Sequence, residues 1–142
     1  DFVSHEAFPC FRQDEQDSVG HEFWTRDGYI FFDNRGPGHD GTITSDRTQA
    51  VARDVPVNQN AMIPFVGLAD RKGNVVKRID MPFYCNHYHA NPDYTTLVGD
   101  DVDDLVLIDI SGKKAKLSVL CNHKTSWHTQ RAHCHPTWSW TT

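Results

Sequence analysis

Apolar positions along the chain fall in short runs separated by turn-forming residues, the pattern of strands rather than of helices. Tyr29, Ile30, Phe31 and Phe32 form an aromatic and β-branched run bounded by Asp27-Gly28 before and Gly36-Pro37-Gly38 after, which predicts a strand between two turns. Residues 62–85, "MIPFVGLADRKGNVVKRIDMPFYC", predict a hairpin with Arg71-Lys72-Gly73-Asn74 at its tip. Residues 104–121, "DLVLIDISGKKAKLSVLC", repeat that design around Ser111-Gly112-Lys113. In the second hairpin Val106, Ile108 and Ile110 share one face while Leu105, Leu107 and Asp109 share the other. Both faces are largely apolar, so this strand is expected inside a packed layer and not at an edge.

The remainder is sparser. Residues 12–22, "RQDEQDSVGHE", show no hydrophobic period and predict a solvated loop. Residues 45–54, "SDRTQAVARD", are the one candidate helix, with Ser45 or Asp46 as its N-cap. Together these elements predict an all-β, single-domain sandwich or barrel of short antiparallel strands and hairpins, with at most one short helix. A loop-rich segment over 1–22 would precede a β core over 23–142.

The two hairpins also align with each other at a fixed offset: Leu68, Asp70, Gly73 and Lys77 fall on Leu107, Asp109, Gly112 and Lys116. Each is followed by Cys-Asn-His, at 85–87 and at 121–123. Internal duplication is one reading of this match, and the shared chemistry of hairpin turns is the other.

Composition narrows the class. At 142 residues, 38% hydrophobic and 23% charged, the chain has the make-up of one globular domain. Its formal charge of −5 and the lack of a basic stripe argue against generic nucleic-acid binding. No apolar run approaches the ~18–20 residues that span a bilayer. The start at Asp1 suits a protein whose leader has been removed. Four cysteines without a C-x-x-C pair suit two disulfides in a secreted protein. The expected pairs are Cys85–Cys121, if equivalent strands lie side by side, and Cys10–Cys134, tying the termini.

Nine histidines supply the candidate chemistry. On a strand, residues i and i+2 share a face, so His87 projects with His89 and His133 with His135. These four are a candidate metal set for zinc or copper, in a chain otherwise expected to carry no cofactor. An acid–base enzyme needs two groups that exchange protons near the working pH; His87, His133 and Glu22 are the candidates. "GDDVDDLV", 99–106, is expected to be a solvated turn, with a calcium loop as the alternative.

For binding, the 33–41 turn with His39 and the 124–140 segment with Trp127, Trp138 and Trp140 offer exposed imidazole and indole to a partner. Two functional readings follow. One is a secreted, disulfide-stapled binding module, such as an effector, toxin or lectin-like domain, that engages a protein or glycan without catalysis. The other is a histidine-based hydrolase, most plainly a nuclease, or a metal-dependent enzyme using the His-x-His pairs. They part on whether the histidines converge in one place.

Overall fold

A computed structural model describes residues 3–7, 9–35, 64–81, 85–101, 103–125 and 134–139. The candidate helix at 45–54 lies outside these residues. The described elements are all strands: β1 (Val19–Trp24), β2 (Ile30–Asn34), β3 (Phe65–Ala69), β4 (Val75–Asp80), β5 (Tyr88–Ala90), β6 (Thr96–Asp100), β7 (Asp104–Asp109) and β8 (Lys116–Asn122). They form two four-stranded antiparallel sheets in simple sequence order, β1-β2-β3-β4 and β5-β6-β7-β8. The expected all-β class with two antiparallel sheets is therefore present. The first strand begins at Val19, inside the segment expected to be loop.

The sheets pack face to face. Phe31, Val66, Ile79 and Met81 from the first meet Tyr88, Ala90, Leu97, Val106, Ile108 and Ile110 from the second in one buried core. A second cluster, Phe32, Phe65 and Ala69, lies on the outer face of the first sheet under Cys10, Phe11 and Val19. Alternation at period two thus sends Phe31 to one face and Phe32 to the other, and both faces of the first sheet are covered. Leu105 and Leu107, on the outer face of the second sheet, are only partly buried.

The sheets are two copies of one unit. The β1–β2 turn is closed by Gly28 N–H donating to Thr25 O (3.0 Å), and the β5–β6 turn by Tyr94 N–H donating to Asn91 O (3.1 Å). Gly28 (φ 82°) and Tyr94 (φ 56°) both take the left-handed conformation there. From these turns the register runs in step. Trp24 pairs with Ile30 as Ala90 pairs with Leu97, Phe31 with Leu68 as Val98 with Leu107, and Asp33 with Val66 as Asp100 with Leu105. Asp70 and Asp109 then coincide at the start of the two hairpin turns, and each carboxylate caps its turn: Oδ1 accepts from Lys72 N–H and Asn74 N–H in one, and from Ser111 N–H in the other. Those bonds hold both carboxyls below the usual range, led by the Asn74 and Ser111 side chains respectively.

The Cys-Asn-His triplets do not belong to this repeat. Ile79 pairs with Val66, and the equivalent Leu105 pairs with Cys121, so Cys121 matches Ile79 in β4 and not Cys85. The expected disulfides are not present: no disulfide bond joins Cys10, Cys85, Cys121 or Cys134 in this structure. Cys85 is buried between the sheets with its side chain against Gly99 of β6, whereas Cys121 is exposed on β8, two strands away. Two strand spacings of ~4.8 Å already exceed the reach of a disulfide. Cys10 packs outside the first sheet, while Cys134 Sγ lies 3.2 Å from Thr125 Oγ1.

Candidate active site

Three histidines from separate stretches of chain gather at one end of the sheets. The His21 ring, in β1, lies 4.6 Å from that of His87, just before β5; the His87 ring lies 3.7 Å from that of His135, in the segment 134–139. His21 takes a left-handed φ of 52° where β1 bulges between Gly20 and Phe23. The bulge re-aims this side chain, as bulges beside functional sites often do.

Each of the first two histidines faces an aspartate at the end of the neighbouring strand, and the two aspartates are the repeat-equivalent Asp33 and Asp100. Asp100 is fully buried. Its Oδ1 accepts the His87 backbone N–H at 2.6 Å, and its carboxylate faces His87 Nδ1 at 3.0 Å from Oδ2 and 3.2 Å from Oδ1. A carboxylate only accepts, so Nδ1 carries the proton and the lone pair of His87 is left on Nε2.

Asp33, also buried, is shared. His21 Nδ1 is 3.6 Å from Asp33 Oδ2, and Arg35 Nε donates to the same oxygen at 3.0 Å. Arg35 Nη2 lies against both ring nitrogens of His21, 3.2 Å from Nε2, and donates to Asn86 O at 2.8 Å. One guanidinium therefore bridges the two sheets. Asp33 Oδ1 is buried without a hydrogen-bond donor among the described residues, a costly state for a carboxylate oxygen.

The residues singled out from sequence distribute unevenly. His87 and His135 are brought together, as a shared site requires. His89 is offset: its Nδ1 accepts the Trp138 backbone N–H at 2.9 Å, and burial holds its pKa below the ordinary 6.5. Trp138 is half-buried over β5 and serves to seat that segment. Glu22 is exposed on β1. His39, Trp127, His133 and Trp140 lie outside the described residues. Among the described residues, no group of three or more His, Cys, Asp or Glu is placed to hold a metal ion.

Sequence reasoning missed His21, Asp33, Arg35 and Asp100. The available signal was an aspartate ending an apolar strand, in "YIFFD" and "TTLVGD". The second runs into the aspartates of the solvated turn expected over 99–106, yet Asp100 is the most buried member of the site.

No family model and no curated protein matches this chain. Among solved structures it resembles an oligogalacturonate lyase from Vibrio parahaemolyticus at 22% identity and a TM-score of 0.54, over 83% of this chain and 27% of that one. The likeness is one of fold, and the chain spans about a quarter of the length of the structure it matches. No helix among the described residues is long and apolar enough to cross a membrane.

Proposed function

We propose that the chain carries the reacting centre of an enzyme, of the two functional readings the sequence raises, and that it acts as a lyase on an acidic oligosaccharide. The observation that carries this is the gathering of His21, His87 and His135, with the first two facing buried carboxylates, beside a bridging arginine. A buried aspartate that fixes the tautomer of a histidine is the arrangement by which a general base is oriented. The substrate class comes from the name of the similar structure; the chemistry is argued from the residues.

Elimination from a uronate needs a base for the proton on the carbon α to the carboxylate, and positive charge to stabilise the carbanion-like state that forms. His87 Nε2 is the base: it takes that proton, the electron pair becomes a carbon–carbon double bond, and the bond to the glycosidic oxygen on the next carbon breaks. The departing oxygen takes up the proton that His87 has gained, which returns the imidazole to its starting form. Arg35 supplies the positive charge, and the unpartnered Asp33 Oδ1 accepts a sugar hydroxyl.

The test combines turnover and binding. The chain is given oligogalacturonate, and formation of the unsaturated product is followed by its ultraviolet absorbance. Histidine resonances are titrated with the same sugar. Product that disappears in His87→Ala, with shifts at His21 and His87, supports the assignment. Absence of both product and shifts, with oligogalacturonate and with other acidic oligosaccharides, sinks it.

A further inference from the structure

His87 is given the proton transfer, yet it is poorly placed to meet an oligosaccharide as the structure stands. Its side chain keeps 10% of its surface open, whereas that of His21 keeps 31%. The ring lies between two others: His21 meets it edge-on at 4.6 Å and 73°, and His135 covers it at 3.7 Å with a tilt of 39°. His135 is itself exposed, so its ring stands on the solvent side of His87. A base must come within hydrogen-bond reach of the proton it abstracts, so one of the two neighbours has to give way.

The two differ in how they are held. His21 belongs to β1, which pairs with β2 on both sides of the bulge, and its ring is engaged by Arg35 and Asp33. Residues 134–139 form no strand. That segment reaches β5 through Trp138, whose backbone N–H donates to His89 Nδ1 at 2.9 Å. The seat of Trp138 is also imperfect: its indole Nε1–H is buried without an acceptor among the described residues. Burying a donor unpaired raises the energy of the closed position, and lifting the segment returns that group to water. The neighbour that moves at least cost is therefore the segment that carries His135.

We infer that residues 134–139 are a strap that closes the His87 site, with His135 as the cover and the Trp138–His89 bond as the latch, and that substrate enters when the strap lifts. The inference rests on His87 being the base of the reaction proposed above. A ligand that binds only the open state has its apparent affinity reduced by the open fraction, so the strap raises KM without entering the chemistry.

The test reads access to His87 without a substrate. The chain is treated with diethyl pyrocarbonate, which labels imidazoles that solvent reaches, and labelling of His87 is followed by peptide mass spectrometry with the exposed His5 as reference. His87 should label much more slowly than His5. His89→Phe keeps a ring against Phe23, 5.3 Å away, but removes the acceptor for the Trp138 amide. A hydrogen bond of ordinary net worth shifts such an equilibrium about three- to tenfold, and labelling of His87 should rise by that factor. His135→Ala removes the cover itself and should raise labelling of His87 at least as far. With oligogalacturonate, His89→Phe should lower KM by the factor seen in labelling and leave kcat unchanged. His87 labelling as fast as His5 in the unaltered chain, or at one rate in all three chains, would overturn the strap. Faster labelling with KM unmoved would overturn its role in substrate entry. Because labelling needs no product, a chain inactive on every acidic oligosaccharide would count against the lyase assignment and leave the strap to be judged on access alone.

Discussion

Replacing Asp100 by Asn isolates what the buried carboxylate does for His87. The substitution keeps the shape of the side chain and one acceptor oxygen, so the bond from the His87 backbone N–H (2.6 Å) survives. The other branch becomes an amide donor facing His87 Nδ1, at a position now 3.0 Å away. Two donors cannot share that contact, and Oδ1, 3.2 Å from Nδ1 and already engaged by the backbone N–H, is the weaker acceptor, so the balance shifts to the tautomer with its proton on Nε2 and its lone pair on Nδ1. One hydrogen bond to a charged group is lost, worth about 1.5–3 kcal/mol, and the site loses its base. General-base catalysis contributes about 10²–10⁴-fold, so product formation should drop by that factor while the fold persists. Nitrogen shifts of the His87 ring read the tautomer directly, and the lyase assay reads the rate. An unchanged tautomer in Asp100→Asn, or a changed tautomer with an unchanged rate, would refute the role given to His87. Asp100→Glu, which retains the charge, serves as the comparison for steric effects.

Two other outcomes follow from packing and burial. A Cβ on Gly67 would come within 2.6 and 2.8 Å of the Phe32 ring, which is fully buried beneath Phe11 and against Phe65; Gly67→Ala should cost about 1–3 kcal/mol in urea unfolding, and Phe32→Leu in the same chain should recover part of it. His89 is held neutral by burial and accepts the Trp138 amide, so the unfolded chain takes up the proton first: stability should fall as pH drops below 6.5 and level off once the lower folded value is passed, with the Trp138 amide losing protection over the same range. His89→Phe should remove that slope, and a slope that survives would mean another group carries it.

The strands were legible because their signals are local. "YIFFD" between turn residues and the two hairpins around Gly73 and Gly112 declare themselves by alternation and turn chemistry, and β2, β3, β4, β7 and β8 lie where the pattern puts them. The disulfides were not legible. Pairing depends on which strands become neighbours, and Cys85 packs against β6 while Cys121 lies two strands away on β8. The duplication was half visible: Asp70 and Asp109 are true equivalents, while the match of Lys77 to Lys116 fails because the second hairpin turn is longer and shifts β8 in register. The site was the least legible part. His21 is aimed by a bulge, and Asp33 and Asp100 are defined by a pairing across strands, neither of which leaves a short-range mark in the sequence.

Because His21 and His87 belong to different sheets, the site exists only where the sheets are docked. Either sheet can keep its own ladder of hydrogen bonds while sliding or parting from the other, yet the edge-on contact of the His21 and His87 imidazoles and the Arg35 bridge to Asn86 cannot outlast that separation. Activity would then be a more sensitive gauge of docking than any measure of strand content, and mild denaturant should silence the site while most of the β structure remains. Selection on the reaction would act mainly on the seam between units and only secondarily on the units themselves.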